Sequence, residues 1–376
     1  MIPRLNPKSR AVSIMEINMN IKERIKELNV PSLFTSFGRP VSTKEDFEAL
    51  KPDILDLFQR EEYGYMPKAP DSVRVEVIDE KKQFFAGKGK NAHYRLYATY
   101  EGRELSFPFS AATPNYTGSK IPVFVNIAFD PTPNFRQPTT EIIDRGYAVF
   151  TVCYKDCTSD DGDFENGVAK ILGMDRSDPH ATGKIAMWSW CVSRVIDYIY
   201  TLDIFDLDKL AVIGHSRLGK TTLLTAAFDE RVKFACVNDS GNSGDALSRG
   251  TAGETIADIT KRFPYWFCPA YQKYAGNEDS LPFDQHYLLS AVAPRALVIG
   301  TAKDDLWADP KNELLALTLT NDVYKLYGKV GLIHPEEIPE APFKLQEGSI
   351  SFHTRLGNHC LSREDWNNYM DFIDKF

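Results

Sequence analysis

The chain has 376 residues, 43% of them hydrophobic, and is long enough to bury a large core. Its formal net charge of −8 argues against nucleic acid or an anionic membrane surface as a partner. No apolar run approaches the roughly 18 residues of a membrane-spanning helix. The opening stretch MIPRLNPKSRAVSIMEINMN lacks the apolar core of a signal peptide. We therefore expect a cytoplasmic protein, or an exported one whose leader has been removed.

Six cysteines are few for this length, and none of their spacings matches a zinc-binding pattern. Reduced, mostly buried thiols are the expected state, and disulfides stay open as the alternative for an exported protein. The six are Cys153, Cys157, Cys191, Cys236, Cys268 and Cys360.

The first part of the chain, residues 1–65, predicts a peripheral and mostly helical segment. Ser42 and Glu45 have the spacing of a capping box, and Pro52 is expected to break or restart the helix that follows. Three segments with period-two alternation come next and predict antiparallel strands. They read SVRVEVI, HYRLYATY and LSFPF.

From Ile121 the pattern changes to short, continuous apolar runs, which are typical of parallel strands covered on both faces. The runs are IPVFVNIAF, YAVFTVCY, KLAVIG, FACVN and RALVIG. Between them, KIAMWSWCVSRVIDYIYTL predicts a helix with an apolar stripe at three-to-four spacing. The stripe comprises Ile185, Trp188, Val192, Val195 and Ile199. Without an internal repeat or a linker, the pattern predicts one α/β domain over residues 1–376 with a mixed sheet.

The stretch AVIGHSRLGK ends one of these strands and begins a helix, with Ser216 at the turn between them. A strand, a sharp turn and a helix are the geometry of a nucleophile elbow. Gly214 precedes the serine by two residues, as the pattern G-x-S-x-G requires. Leu218 occupies the second glycine position, and the glycine is Gly219 instead. On this stretch alone, an ordinary helix-capping serine stays open.

A serine nucleophile needs a base and an acid from distant parts of the sequence. His359 lies in the loop after the last predicted strand, SISFHTRL, whereas His353 lies inside that strand and is expected to be packed or on the surface. Asp304, Asp305 and Asp309 follow the end of RALVIG. The order serine, aspartate, histidine is that of the α/β-hydrolases. We therefore predict the α/β-hydrolase fold, a three-layer sandwich around a mixed, mostly parallel sheet.

The segment GHSRLGK resembles the G-x-S-R-x-G-K motif of the glucuronoyl esterases, carbohydrate esterase family 15, in which cysteine often precedes the serine. The resemblance covers roughly the C-terminal half of the chain, including VNDSGNSG, GETIADITKRFPYWFCP and DQHYLLSAVAPRALVIGTAKDDLWADP. The ending DDLWADP is similar to the bacterial branch. The resemblance implies hydrolysis of the ester between 4-O-methyl-glucuronic acid on xylan and lignin alcohols. The implied substrate is a small carbohydrate ester or a glucuronoxylan fragment.

Residue roles follow from the resemblance. It implies Ser216 as nucleophile, His359 as base and Arg217 as the arginine that stabilises the oxyanion. The matching lysine of the family, here Lys220, hydrogen-bonds sugar hydroxyls.

Two further positions match residues that contact the sugar in the family. Trp307 matches a tryptophan on the uronate, with core packing as the alternative. Glu254 matches a sugar-binding glutamate, with a solvated helix end as the alternative.

The acid is where the sequence departs from the family. The usual acid is a glutamate, and the matching position is Asp239, which is one methylene shorter. Many bacterial members also carry an aspartate at the position of Asp305. Either carboxylate could orient His359, or both could share the task. We favour Asp305, because it occupies the acid position general to this fold, and expect Asp304 and Asp309 on the surface or behind the site.

Two other functions stay open. One is an acetyl-xylan or other carbohydrate acyl esterase on the same fold, which the pairing of Arg217 with Lys220 disfavours. The other is a hydrolase-fold binding protein without turnover. The sequence has no H-x-x-x-H cluster, P-loop or G-x-G-x-x-G, so we predict neither a metal nor a cofactor.

Overall fold

Both kinds of apolar pattern form strands of one sheet. The computed structural model describes residues 20–115 and 118–376. The ten strands are ordered β1-β2-β3-β5-β4-β6-β7-β8-β10-β9 across the sheet. Their bounds are β1 Ser72–Phe84, β2 Gly89–Tyr100, β3 Arg103–Pro114, β4 Ile121–Ala128, β5 Ala148–Cys153, β6 Phe205–His215, β7 Phe234–Asn238, β8 Ala296–Ala302, β9 Phe343–Leu345 and β10 Ile350–Arg355.

The sheet is mixed, as the sequence predicts. The pairs β1–β2, β2–β3, β3–β5 and β9–β10 are antiparallel, and the six strands from β5 to β10 in the sheet order pair in parallel. The carboxyl ends of the parallel strands therefore share one edge, where an α/β sheet binds its ligand.

Helices cover both faces of the parallel part. The described helices are α1 Ile21–Leu28, α2 Lys44–Phe58, α3 Thr139–Asp144, α4 Tyr154–Cys157, α5 Ala169–Leu172, α6 Lys184–Ile199, α7 Arg217–Phe228, α8 Ile256–Arg262, α9 His286–Ala291, α10 Pro310–Leu326 and α11 Arg363–Ile373. Alternate residues of β4 enter different cores: Val123 and Val125 join the larger one with α6 and α7, and Phe124 joins the smaller one with α3 and α11. This confirms the three-layer sandwich.

The long predicted helix is confirmed as α6, and all five residues of its stripe are buried. Its other face is buried too, because the helix packs against both the sheet and the neighbouring α7. A three-to-four stripe therefore identified the helix but underestimated its burial. Even Lys184 and Arg194 are largely removed from water.

Two details predicted for the N-terminal segment are wrong. The capping box of α2 pairs Thr43 with Asp46, one residue later than predicted, because the Asp46 carboxylate accepts the Thr43 N–H at 2.9 Å. Pro52 does not interrupt α2. An interior proline costs about 3 kcal/mol, but α2 packs against α9 and α10 and buries Phe47 and Ile54 completely. Burial of each such side chain contributes about 1.5–3 kcal/mol, which offsets that cost.

The described part of this segment, residues 20–65, contributes to the larger core through the apolar face of α2. Residues 1–19 lie outside the described residues. A single domain over the whole chain stays a prediction.

Strand β1 forms one edge of the sheet. It has 13 residues, most of them exposed, and its pairing with β2 is irregular between Val77 and Asp79 and between Lys81 and Phe84. The charged run Asp79, Glu80, Lys81, Lys82 lies on this edge.

The six cysteines are free, and all but the partly exposed Cys360 are buried, as expected for reduced thiols. Within residues 20–115 and 118–376, no helix combines the length and apolar character needed to cross a bilayer.

Candidate active site

The bend after β6 holds Ser216 in a strained conformation. Its φ of 60° and ψ of −128° lie outside the usual regions, and helix α7 begins at the next residue. The Ser216 N–H donates to the Asn238 carbonyl at 2.9 Å, which fixes the bend to the end of β7. The side chain is partly exposed at the carboxyl edge of the sheet. This is the nucleophile elbow that the sequence predicts.

Two glycines allow the bend to form, and they explain the departure from G-x-S-x-G. A Cβ on Gly214 would lie 2.2 Å from the Leu218 carbonyl oxygen. A Cβ on Gly219 would lie 2.8 Å from the Cβ of Ser240. The close approach of α7 to the end of β7 therefore falls at Gly219, and Leu218 is buried instead.

His359 reaches this bend from the other end of the chain. Its ring centroid lies 4.3 Å from that of His215, the residue before Ser216. Its Nδ1 is 2.5 Å from Oδ2 of Asp305, which is buried just past the end of β8. A carboxylate on Nδ1 fixes the tautomer with its lone pair on Nε2, the nitrogen that a base needs.

Asp239 lies behind this pair. Its Oδ1 accepts the Ala302 N–H at 2.8 Å and the Thr301 hydroxyl at 3.1 Å. Burial, together with the negative charge of Asp305, raises the pKa of Asp239 well above its ordinary value. The structure brings both candidate acids to the histidine, and the hydrogen bond is made by Asp305.

One group among the described residues has ligating atoms close enough to contact a single metal ion. It consists of Asp239, Asp305 and His359, whose atoms lie within 4.8 Å of one another. The hydrogen bonds just described already involve these side chains.

His215 occupies the position where the family often has cysteine. Its Nδ1 lies 2.7 Å from Oδ1 of Asn238, whose amide nitrogen donates to the Gly300 carbonyl at 3.0 Å. The Asn238 oxygen is therefore the acceptor, and His215 carries its proton on Nδ1. Burial, reinforced by His359, lowers the pKa of His215 to about 3. A neutral imidazole thus packs against the candidate base.

Arg355 was missed in the sequence, although it holds the histidine loop in place. Its guanidinium donates to the carbonyls of Asn358 and Cys360, on either side of His359, and to Asp365 at 2.8 Å. His353 is packed rather than exposed, with Nε2 2.9 Å from Oδ1 of Asp365. An arginine at the end of a strand gives no sign of this role in the sequence.

Arg217 begins α7, and its guanidinium lies over the Trp266 ring at 4.5 Å and the Phe263 ring at 5.1 Å. Its Nη1 donates to Asp160, a residue that the sequence did not single out. The side chain is 23% exposed, so it remains accessible from the edge of the sheet.

Lys220 points inward. Its ammonium donates to the carbonyls of Ser240 and Asn242, and the residue is buried. Burial lowers the pKa of Lys220, although Glu254 and other nearby carboxylates oppose the shift. Two of its three N–H groups are therefore occupied by the protein.

The structure places Glu254 beside Trp307, since the Glu254 N–H donates to the Trp307 carbonyl at 2.9 Å. Trp307 is 43% exposed and carries the Arg262 guanidinium 5.0 Å from its ring centroid. Core packing is therefore excluded for Trp307. Glu254 is largely buried, which excludes a solvated helix end.

The other two aspartates of this region differ from each other. Asp304 is exposed, as expected. Asp309 is buried and caps α10, accepting the N–H groups of Asn312 at 3.3 Å and Ala252 at 2.7 Å. It therefore anchors the loop that carries Glu254.

A shallow cleft, which the sequence did not indicate, opens next to the bend. Its lining includes Phe129 and Arg136 from the loop after β4, His215 at the end of β6, and Leu361 from the loop after His359. The cleft reaches the bend through His215, the residue before Ser216.

The mixed sheet, the helices on both of its faces and the strained serine after β6 define an α/β-hydrolase. A family model described as "Glucuronyl esterase, fungi" matches residues 96–328. This chain belongs to the glucuronoyl esterase family, carbohydrate esterase family 15.

Two curated relatives illustrate the family. "Carbohydrate esterase MZ0003", from an unknown prokaryotic organism, is 40% identical over 235 residues, which make up 62% of this chain and 54% of that protein. The chain thus spans about half the length of this relative. "4-O-methyl-glucuronoyl methylesterase" from Schizophyllum commune is 29% identical over 365 residues, covering 92% of this chain and 82% of that protein.

Solved structures agree in fold. "Glucuronoyl Esterase from Solibacter usitatus" superposes with a TM-score of 0.85 at 28% identity, covering 92% of this chain and 97% of that one. A second structure, of a "promiscuous CE15 esterase from the marine bacterial metagenome", gives a TM-score of 0.81 at 27% identity, covering 93% and 98%.

Proposed function

We propose that this protein is a serine esterase that hydrolyses esters of 4-O-methyl-glucuronic acid through an acyl-enzyme. The observation that carries the proposal is the contact between the ring of His359, hydrogen-bonded to Asp305, and His215, the neighbour of Ser216 on the strained bend. Family membership supports the substrate class, and the names of the relatives supply the methyl ester as one example.

The proposed reaction follows from the positions of these groups. The Ser216 hydroxyl attacks the ester carbonyl and transfers its proton to Nε2 of His359, while Asp305 stabilises the resulting imidazolium. The Arg217 N–H, at the start of α7, and its guanidinium stabilise the negative charge on the carbonyl oxygen. The imidazolium then protonates the leaving alcohol. Water, activated by the same imidazole, releases the uronate and frees the serine.

The sugar is proposed to lie between Trp307 and Lys220. The exposed Trp307 ring offers an apolar face, and Glu254 lies beside it to accept sugar hydroxyls. Lys220 contributes the N–H that the two carbonyls leave free. The substrate is then a small carbohydrate ester or a glucuronoxylan fragment.

Hydrolysis of benzyl glucuronate, benzyl galacturonate and acetylated xylan tests the proposal. We expect the glucuronate ester to give the highest kcat/KM and Ser216→Ala to abolish its turnover. Faster release of acetate than of benzyl alcohol would instead support an acyl esterase, an alternative favoured by the similarity to a marine esterase described as promiscuous. Failure of a fluorophosphonate probe to label Ser216 would contradict both esterase proposals.

A further inference from the structure

Three aspartates stand close together in the loop of residues 158–166, and one of them differs from the others. Asp161 and Asp163 are exposed and accept hydrogen bonds from their own loop, Asp161 from the Asp163 N–H at 3.0 Å and Asp163 from the Glu165 N–H at 2.8 Å. The Asp160 side chain is only 8% exposed and turns towards the bend after β6. Its contacts are therefore made with the site rather than with the loop.

The Asp160 carboxylate receives three side-chain donors from separate parts of the chain. Oδ2 accepts from Nη1 of Arg217 and from the Tyr154 hydroxyl at 2.9 Å. Oδ1 accepts the indole N–H of Trp266 at 2.7 Å. The backbone carbonyl of Asp160 also accepts the Tyr265 hydroxyl at 2.9 Å, which fixes the loop itself.

The same carboxylate thus holds both the Arg217 guanidinium and the ring on which it stacks. The Trp266 ring lies 4.5 Å from the guanidinium carbon and is itself stacked on Phe263, with centroids 3.9 Å apart and planes 4° from parallel. A planar cation held by one carboxylate and one aromatic face has few remaining orientations.

The guanidinium is also not fully satisfied by the protein. The Nε of Arg217 is buried and has no hydrogen-bond partner among the residues that the structure describes. Part of the donor capacity of this guanidinium is therefore not used by the described residues, and the side chain is still 23% exposed.

We propose that Asp160 is a positioning residue that fixes the Arg217 guanidinium in the orientation needed to meet the developing oxyanion. The inference rests on the proposed esterase function. An arginine that kept its rotamer freedom would lose it during the reaction, whereas Asp160 removes that freedom in advance. Asp160 acts through Arg217 and does not itself contact the ester.

The test is a double-mutant cycle on benzyl glucuronate hydrolysis. Asp160→Asn is expected to lower kcat about 10- to 100-fold with KM within about threefold, because misplacing a group that stabilises the transition state costs rate rather than binding. Asp161→Asn is the matched control, with the same charge change on the same loop, and is expected to retain wild-type kcat. In an Arg217→Ala background, Asp160→Asn is expected to add less than about a twofold loss.

A merely structural role would give a different pattern. If Asp160→Asn lowers kcat by the same factor with and without Arg217, or behaves like Asp161→Asn, the inference is overturned. Should Asp160→Asn fail to fold, Tyr154→Phe removes only the hydroxyl that donates to Oδ2 of Asp160 at 2.9 Å. Its loss of kcat is expected to disappear in the Arg217→Ala background, and a loss that persists there overturns the inference.

The same proteins are also compared in the rate at which a fluorophosphonate probe labels Ser216. Labelling develops charge on an oxygen at the elbow but needs no sugar. A further outcome is that benzyl glucuronate is not hydrolysed at all, while Asp160→Asn slows labelling in the protein with Arg217 and has no effect in the Arg217→Ala background. That result would reject the proposed substrate and retain the positioning role of Asp160.

Discussion

The two carboxylates beside His359 are bonded differently. Asp305 contacts Nδ1 of the histidine directly. Asp239 uses Oδ1 on the backbone N–H of Ala302 and the hydroxyl of Thr301. An asparagine at position 239 can still accept these two bonds through its amide oxygen, but it loses the charge that faces Nη2 of Arg355 at 3.5 Å. At position 305 an asparagine cannot stabilise an imidazolium. This difference supports the proposal that Asp305 is the acid that orients His359.

The substitutions Asp305→Asn and Asp239→Asn separate the two roles. Loss of the carboxylate on the base costs up to about 10⁴-fold in serine hydrolases, so we expect Asp305→Asn to lower kcat about 10²- to 10⁴-fold. Asp239→Asn should lower kcat less than about tenfold, because Asp239 lies behind His359 and Asp305 and does not make the hydrogen bond between them. Steady-state kinetics on one aryl glucuronate ester measures both. A larger loss for Asp239→Asn would transfer the role of the acid to Asp239.

Single residues also show what the sequence could predict. Ser216, Asp305 and His359 were predicted to lie at one edge of the sheet because each follows a strand, and they do follow the carboxyl ends of β6, β8 and β10. The contacts of Asp160 and Arg355 were not predictable, since they depend on how long loops pack across the site. Nor could the motif reveal that the Lys220 ammonium points to two backbone carbonyls.

At the scale of elements, the junction of β6 and α7 depends on the absence of two side chains. A Cβ on Gly214 would meet backbone atoms, at 2.2 Å from the Leu218 carbonyl oxygen, and backbone cannot move away cheaply. At Gly219 the nearest atom would be the Cβ of Ser240, at 2.8 Å, which a small shift of the helix can relieve. Alanine should therefore destabilise the protein more at position 214 than at position 219.

We expect Gly214→Ala to lower the free energy of unfolding by at least about 3 kcal/mol and Gly219→Ala by about 1–3 kcal/mol. Gly162→Ala is the matched control: its Cβ would meet no atom within 4 Å, and its φ is not in the left-handed region. That change should stay within about 1 kcal/mol of wild type. Denaturant unfolding measures the free energy of unfolding of the three variants. Equal losses for Gly214→Ala and Gly162→Ala would contradict this account of the bend.

Elements were predicted well where their pattern was long and poorly where neighbours decided the outcome. The period-two segments became β1 to β3, and the continuous runs became the parallel strands. The prediction at Pro52 is wrong because helix propensity is a local property. It takes no account of the apolar face that α2 buries against α9 and α10. The capping box was displaced by one residue because Asp46, and not Glu45, faces the start of the helix.

At the scale of the whole molecule, a set of buried acids lies beneath the site. Burial raises the pKa of each of them, and Lys220 is a buried cation in their midst. The set comprises Glu62, Asp245, Asp284 and Glu313. Glu62 is completely buried, with Oε2 accepting from Gln285 at 2.9 Å and Oε1 without a partner among the described residues. Its burial raises its pKa from 4.5 to about 8.

A raised pKa means that the folded protein keeps a proton that the unfolded chain releases. The contribution of Glu62 to stability is therefore complete below pH 4.5 and is lost as the pH rises towards about 8. The slope for one proton is at most about 1.4 kcal/mol per pH unit. Glu62→Gln mimics the protonated form, so we expect its stability relative to wild type to increase steadily between about pH 5 and pH 8.

Urea unfolding at several pH values measures this difference. Glu61→Gln is the matched control, because hydrogen bonds from Lys273 and Tyr274 outweigh burial and lower the pKa of Glu61. Glu61 is ionised in both states over that range, so its variant should differ from wild type by a constant amount. A constant difference for Glu62→Gln as well would show that Glu62 is ionised in the folded protein.

The irregular edge strand β1 affects whether two copies of the molecule can associate edge to edge. Among residues 20–115 and 118–376, β1 has no partner strand on its outer side, and an open edge of 13 residues would ordinarily allow another chain to continue the sheet. The two breaks in pairing interrupt the regular register of this edge, and a neighbouring strand would have to desolvate four consecutive charged side chains. Growth of the sheet from one copy into the next is thereby discouraged, which favours a sheet that ends at its own boundary even in concentrated solution.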